Sequence, residues 1–143
     1  MSSEEQQAIE LLGTVPYGRL ATTRRALPFL AVARHTVIDG RIVLRMHGAS
    51  GNHESCDGAV VAYGADNLNP AARGAGGGAL WSVHFTGPAE IVRPTAEERE
   101  RFGAAPSEIN GEPFAPVYLR LDPHFVTLHT LGFDASQPFR HTA

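Results

Sequence analysis

Residues 36–46 read TVIDGRIVLRM, and this stretch decides the fold. Two β-rich runs flank Asp39-Gly40, and an Asp-Gly pair between such runs is the strongest short-range signal of a β-hairpin. Val and Ile, which dominate both runs, favour strands. The stretch therefore predicts two antiparallel strands joined by a tight turn.

The segment before this hairpin predicts two further strands. Residues 19–23 form the first, a turn follows at Arg25-Ala26, and residues 29–33 form an almost continuous apolar run. A run of this kind is typical of a strand that is covered on both faces.

A helix is predicted at the start of the chain, over residues 3–15. Ser3 with Gln6 fits a capping box, and Gly13 and Pro16 mark the end.

The segment after the hairpin predicts a polar turn, further strands and a loop. Residues 47–58 are polar and glycine-punctuated, with room for one short helix. Residues 80–92 alternate apolar and polar side chains, with a bulge or bend expected at Gly87-Pro88. The remaining predictions here are a strand at residues 59–63 and a flexible loop at residues 66–78.

The last third predicts a short helix, a connector and two strands. Thr95 and Glu98 form a second capping box, and Gly103 ends that helix. The rest is interpreted as a proline- and glycine-rich connector (105–116), strands at 117–121 and 125–131, and a loosely held tail (134–143). About six short strands with marginal helices favour one mainly β domain, a six-stranded antiparallel barrel over about residues 18–131.

Composition excludes several classes of protein. The 143 residues carry 12 basic and 15 acidic side chains, a net charge of −3, which provides no electrostatic footprint for nucleic acid or an anionic membrane. No run reaches the roughly 20 apolar residues of a membrane helix. The acidic start does not fit a signal peptide. Cys56 is the only cysteine, so we expect a reducing, cytoplasmic location.

The order of these segments carries a resemblance to a known family. GRLATT opens the first strand at Gly18, a strand ending in Arg45 leads into MHGAS, and LWSVHFTGPAEIV follows at residues 80–92. The chain resembles the flavin-binding split-barrel proteins of the pyridoxamine-phosphate-oxidase-like group over about residues 8–130. No one of these motifs is specific by itself; their order and spacing are.

The resemblance implies a homodimer that holds FMN in clefts at the subunit interface and acts on a small molecule. By this likeness, Arg45, Ser50 and the amides of residues 48–51 would hold the phosphate, and His47 is a weak catalytic candidate. The full set of candidate cofactor-binding residues is Thr22, Ala31, Val32, Arg45, Met46, His47, Gly48, Ser50, Gly51, Asn52, His53 and Trp81.

One segment departs from the family pattern. Many members carry Lys or Arg a few residues after the Ser, whereas this chain reads GNHE at residues 51–54. A phosphate dianion requires charge-assisted donors, and losing one costs about 1.5–3 kcal/mol. A weakened or empty flavin site therefore stays open as an interpretation.

Plainer interpretations stand beside several of these residues. Arg45 would be a solvent-facing arginine, Trp81 a core aromatic and Cys56 a quiet buried thiol. The scattered histidines lack metal-ligand spacing, so no metal site is predicted. A triad of Ser50, His53 and Asp57 and a G-x-G-x-x-A match at residues 74–79 are both rejected for lack of structural context.

Four functions follow. The leading hypothesis is an FMN-dependent oxidoreductase, and a deazaflavin-dependent reductase is its relative on the same fold. A non-catalytic dimeric binding or regulatory barrel with a decayed flavin site comes from a different class. A haem-handling barrel is the most distant alternative.

Overall fold

A computed structural model describes residues 2–49, 51–69 and 79–132. Nine strands and three helices lie in this part of the chain. In chain order they are α1 (Ser3–Leu12), β1 (Tyr17–Arg24), β2 (Leu27–Ile38), β3 (Arg41–His47), α2 (Asn52–Cys56), β4 (Val60–Asp66), β5 (Leu80–Ile91), α3 (Ala96–Phe102), β6 (Glu108–Ile109), β7 (Glu112–Pro113), β8 (Pro116–Leu121) and β9 (Phe125–Leu131).

Six of the strands close into an antiparallel barrel. The ring runs β1–β2–β3–β8–β5–β4, and the β4–β1 pairing completes it. Strand β9 is a seventh member that pairs only with β5 in the described chain. The predicted six-stranded antiparallel split barrel is therefore confirmed, with one additional strand along its side.

The Asp-Gly hairpin is confirmed at β2–β3. Ile38 pairs with Arg41, and Asp39 and Gly40 have φ values of 51° and 76°. Two successive positive φ angles form the type I′ turn, whose twist matches that of the flanking strands. The same geometry joins β1 to β2 through Arg25 and Ala26.

Strand β5 is long because it serves three partners. One edge pairs with β4 along residues 82–88, while the other edge pairs first with β9 and then with β8. The exchange occurs at Gly87, where an added Cβ would lie 1.9 Å from the carbonyl oxygen of Asp122. Only glycine lets the β8–β9 turn pass this close. The pairing with β4 runs without interruption through Gly87 and Pro88, so the bulge predicted at these residues is not observed on that edge.

The first helix begins at residue 3 as predicted but is shorter, and its N-cap lies one residue before the predicted one. It ends at Leu12 rather than at residue 15, with Gly13 as its C-cap. Ser2, not Ser3, is the N-cap, and its hydroxyl accepts a hydrogen bond from the Glu5 amide at 3.2 Å. Both serines satisfy the residue preference of an N-cap, so the sequence alone did not distinguish them.

The second capping box is confirmed. Thr95 and Glu98 exchange side-chain and backbone hydrogen bonds of 2.8 and 3.1 Å at the start of α3, and Gly103 caps its end. The short helix that was expected within the polar turn is observed as α2.

The connector after α3 contains an unpredicted hairpin. Strands β6 and β7 pair through Ile109 and Glu112, and Asn110-Gly111 forms the turn with φ values of 50° and 78°. Asn-Gly is a hairpin signal as strong as Asp-Gly. It was missed because the surrounding prolines and glycines were interpreted as an irregular connector.

The barrel interior holds the core. Apolar side chains from the inner faces of the strands pack with Ala8, Ile9 and Leu12 of α1 and Cys56 of α2. None of the described helices is long and apolar enough to cross a bilayer. The predicted tail at residues 134–143 and most of the predicted loop at residues 66–78 lie outside the described residues.

A buried histidine joins α1 to the barrel. His35 Nε2 lies 2.7 Å from the Leu12 carbonyl and Nδ1 lies 2.5 Å from the Tyr63 hydroxyl. A carbonyl only accepts, so Nε2 carries the proton, and in the neutral ring Nδ1 accepts from Tyr63. Burial lowers the pKa of His35 and raises that of Tyr63, which keeps both groups neutral.

Candidate functional site

Helix α3 and the connector that follows it cover part of the outer barrel surface. Their main anchor is Arg45 on β3, whose side chain is only 4 % exposed. Its Nη1 donates to the Gly103 carbonyl at 3.1 Å, and its Cζ lies 5.2 Å from the centroid of the Phe102 ring. The interpretation of Arg45 as a solvent-facing arginine was therefore wrong.

A second arginine lies directly opposite. Arg34 on β2 is the cross-strand partner of Arg45, so the two side chains emerge side by side on the outer face. The Arg34 Nη1 donates to the backbone carbonyls of Pro16 and His35. Like charges placed opposite each other destabilise a sheet. The same pair concentrates positive potential at one point of the surface.

A small pocket opens at these arginines. Its volume is about 150 Å³, and among the described residues no carboxylate lines it. The β2–β3 sheet forms its floor and the connector its far wall; the lining residues are Tyr17, Val32, Arg34, Arg45, Met46, His47, Pro106, Ile109 and Phe114.

His47 lies at the end of β3 with a defined orientation. The Ala115 amide donates to its Nδ1 at 3.1 Å, and its ring stacks on Phe114 with centroids 5.4 Å apart. Because Nδ1 accepts, the neutral ring carries its proton on Nε2. His47 is thus held as a hydrogen-bond donor at the rim of the pocket.

The turn after His47 is largely bonded to itself. The Gly48 amide donates to the Ala115 carbonyl at 2.8 Å and the Gly51 amide to the Gly48 carbonyl at 3.1 Å. Those two amides, proposed as phosphate donors, therefore already have partners. Ser50 lies outside the described residues, and its predicted role stays a prediction. His53 Nδ1 is buried without a partner among the groups described.

The candidate residues divide between two faces of the barrel. Ala31 and Val32 are neighbours on β2 and point to opposite sides, since side chains alternate along a strand. Val32, Arg45 and His47 meet on the outer face at the pocket. Trp81 and Thr22 are buried on the inner faces of their strands, and Trp81 belongs to the core, which is the plainer of its two interpretations.

Met46 and the turn residues complete the comparison with the prediction. Met46 lines the pocket but is 3 % exposed and packs in the core. Asn52 opens α2, whose five residues also include His53. Cys56 donates a weak hydrogen bond to the Asn52 carbonyl, and burial raises the pKa of its thiol. The interpretation of Cys56 as a buried thiol agrees with this.

The sequence analysis missed Arg34 and the connector residues. Arg34 directly follows the apolar run at residues 29–33. Its position opposite Arg45 follows once the Asp39-Gly40 turn fixes the register of β2 and β3. Phe114 and Ile109 belong to the segment of the unpredicted hairpin. Recognising Asn110-Gly111 as a turn would have identified that segment as ordered.

The remaining outer surface next to the pocket is bare and partly apolar. One row crosses five neighbouring strands with the register Leu30, Ala21, Ala62, Thr86 and Phe125. Leu30 and Phe125 are each 72 % exposed. The apolar run on β2 was predicted to be covered on both faces, and in the single chain its outer face is open.

An uncharacterized protein of Mycobacterium tuberculosis is similar in sequence. It is 38 % identical over 94 residues, which are 62 % of this chain and 59 % of that relative. The chain thus matches less than two thirds of the relative's length.

Solved structures share the fold. The FAD-binding protein of Mycobacterium smegmatis superposes with a TM-score of 0.67 at 20 % identity, covering 92 % of this chain and 98 % of that one. The FAD- and haem-binding protein of the same organism gives 0.64 at 18 %, over 94 % and 76 %.

A third structure, from Corynebacterium glutamicum, is provisionally assigned as a pyridoxamine 5'-phosphate oxidase. It gives a TM-score of 0.61 at 25 % identity, over 91 % of this chain and 92 % of that one. The sequence model of the pyridoxamine 5'-phosphate oxidase family matches residues 4–130. The chain belongs to that family.

Proposed function

We propose that this protein is a homodimeric flavin-binding protein that catalyses the oxidation or reduction of a small molecule. The observation that carries the proposal is the pocket in which Arg34 and Arg45 lie opposite each other beside the Phe114 ring. Two guanidinium groups with an aromatic wall and no lining carboxylate in the described chain suit a ligand that is both anionic and planar.

The residues present fit the mononucleotide part of a flavin. Arg34 and Arg45 match a phosphate, because the guanidinium fork presents paired donors to its oxygens. His47 Nε2 is an available donor for a carbonyl or ring nitrogen. The basic side chain that is missing after residue 50 is thus replaced by Arg34 from the neighbouring strand.

A second copy of the chain would complete the site. At about 150 Å³ the pocket is smaller than the roughly 300–1,000 Å³ typical of ligand sites. Val32 and Tyr17 line it and are 58 % and 50 % exposed at the edge of the bare face. Docking of two such faces would cover Leu30 and Phe125 and add a wall to the pocket.

A bound flavin would supply the electron or hydride transfer, while the protein supplies binding, orientation and exclusion of water. In that arrangement Arg34 and Arg45 fix the anionic end of the ligand. His47 holds a proton on Nε2 beside it, and its orientation is fixed by the Ala115 amide and the stacked Phe114. The bare face excludes water once it is covered.

A visible spectrum with mass spectrometry of the purified protein tests the flavin. We expect a yellow protein, and we expect Arg34→Gln to weaken FMN binding about tenfold or more through loss of a charged hydrogen-bond donor. Arg41→Gln is the matched control, because Arg41 lies on β3 but outside this pocket. Colourless wild-type protein with no affinity for added FMN would refute the proposal.

Sedimentation analysis tests the dimer. Leu30→Glu places a charge in the middle of the bare face and should abolish self-association at micromolar concentration. Gln7→Glu adds the same charge to an exposed position of α1 and should change nothing. A monomeric wild-type protein that binds FMN would remove the second copy from the proposal.

A non-catalytic flavin carrier is the second candidate. The bonded amides of Gly48 and Gly51 and the lack of a cation at residues 51–54 favour it, because they leave fewer donors around a reacting group. Turnover of the flavin-loaded protein with a nicotinamide donor and an artificial acceptor separates the two functions. Activity that His47→Phe reduces while FMN affinity is kept would favour the enzyme.

A further inference from the structure

A second cavity continues along β2 beyond Arg34. Its volume is about 270 Å³, and its lining includes Arg34 and Thr36 of β2, Arg101 of α3 and Val15 from the segment after α1. Arg34 lines both this cavity and the pocket beside Arg45. The two spaces are therefore neighbours on the same strand, with one guanidinium between them.

Arg101 lines this cavity from α3. In the described part of the chain it makes no ion pair, although Glu97 lies one turn earlier on α3. By contrast, Arg41 pairs with Glu98, and Arg120 pairs with Glu90. Within the described ranges no carboxylate lines the cavity, so the positive charge of its two arginines is available to an external anion.

Thr36 adds a polar group that lacks a partner. Its side chain is 93 % buried, and the Oγ1 atom makes no hydrogen bond with any described residue. Buried hydroxyls almost always have a partner, so an orphaned one at the wall of a cavity calls for an explanation. A ligand oxygen at this position would satisfy it.

We propose that this cavity is an anion subsite that takes a phosphate group. Arg101 and the free donors of Arg34 would face the phosphate from two sides, and Thr36 would donate from β2. Because Arg34 is shared, a flavin dinucleotide seated in the first pocket could place its second phosphate here. This last step rests on the proposed flavin function; the anion subsite itself does not.

Binding of FMN, FAD and inorganic phosphate to three proteins tests the proposal. Wild type is compared with Arg101→Gln and with the control Arg99→Gln, which alters an exposed arginine on the same helix outside the cavity. We expect FAD to bind more tightly than FMN. Arg101→Gln should weaken FAD binding about tenfold or more and leave FMN affinity within about twofold. Arg99→Gln should match wild type.

Inorganic phosphate separates this proposal from the proposed function. Phosphate should raise the melting temperature of Arg101→Gln clearly less than that of wild type and of Arg99→Gln, whether or not flavins bind, because only the pocket beside Arg45 is left intact in Arg101→Gln. If neither flavin binds and this pattern holds, the flavin function fails and the anion subsite stands. If phosphate has no effect on any protein, or if Arg101→Gln weakens FMN and FAD equally, the subsite is refuted.

Thr36→Val is a second variant that tests the hydroxyl. Valine keeps the shape of threonine and removes the orphaned oxygen, so the free protein should be as stable as wild type or more so. The phosphate-induced rise in melting temperature should nevertheless shrink. An unchanged phosphate response would remove Thr36 from the subsite.

Discussion

The outer surface of this barrel has two halves that share strand β2. On one half, helix α3 and the connector cover β2, β3 and β8 and bury Arg45 and Phe102. Over β1, β4, β5 and β9 the sheet is bare, and Leu30 and Phe125 are 72 % exposed. The two arginine-lined cavities lie along β2, where the two halves meet. The comparison teaches that the proposed ligand site lies at the edge of the surface that α3 and the connector cover.

The same substitution on the two halves should have very different effects. Phe102→Ala removes a buried ring that packs 5.4 Å from Tyr118 and beneath Arg45, and it should lower the free energy of unfolding by about 3–5 kcal/mol. Phe125→Ala, on the bare half, should change the stability of the monomer by less than about 1 kcal/mol. Urea denaturation of dilute protein measures both, and equal losses would contradict the division.

The two opposed arginines should also differ. Arg45→Met removes buried hydrogen bonds to Gly103 and Ala104 and should cost about 1.5–3 kcal/mol. Arg34→Met should cost less than about 1 kcal/mol, because Arg34 is only half-buried and its removal relieves the like-charge pair. A larger loss for Arg34 in thermal unfolding would show that the cover is not anchored by Arg45.

Beneath β2, on the inner face, His35 should give the protein a pH-dependent stability. Its pKa is lowered in the folded state by burial, so the unfolded chain takes up a proton first as the pH falls. Stability should be constant above about pH 7, decline below about pH 6.5, and stop declining below the folded-state pKa. The loss is about 1.4 kcal/mol per unit of separation between the two pKa values.

A matched pair of histidine variants checks this assignment. His35→Gln removes the titrating group and should flatten the slope below pH 6.5, at the expense of lower stability at neutral pH. His124→Gln changes an exposed histidine on the β8–β9 turn and should keep the slope. A slope that survives in His35→Gln would assign the titration elsewhere.

The smallest effect should come from the caps. Thr95→Ala removes the hydroxyl that caps α3 and should cost about 1 kcal/mol, because α3 is held in the cover. Ser2→Ala removes the corresponding cap of α1, whose hydrogen bond is exposed, and should cost less. Denaturation midpoints of the two variants measure the difference, and the reverse order would contradict it.

Local chemistry made most of the barrel predictable. Asp39-Gly40 and the Thr95–Glu98 box each specify their geometry through neighbouring residues, so they were predicted correctly. The position of Arg45 was not predictable in this way, since its burial depends on carbonyls 58 residues further along the chain. Arg34 was missed for the same reason, because its importance arises from register and not from its neighbours in sequence.

The candidate site was therefore predicted only in part. Val32, Arg45 and His47 line one pocket, and their role in cofactor binding stays a prediction. Thr22, Ala31 and Trp81 lie on the inner faces of their strands. For Ala31 this follows from its neighbour Val32, since adjacent side chains of a strand point to opposite faces. The connector that supplies the far wall was interpreted as irregular, and its Asn110-Gly111 turn shows that composition alone is a poor guide there.

The buried position of Trp81 makes its fluorescence a reporter of the barrel interior. It is the only tryptophan in the chain, it is 7 % exposed, and it packs in the interior away from both cavities. Its fluorescence emission will therefore follow the integrity of the interior. Quenching of that emission by an added chromophore, with no shift in its wavelength, would register occupancy of the outer surface in a still-folded molecule.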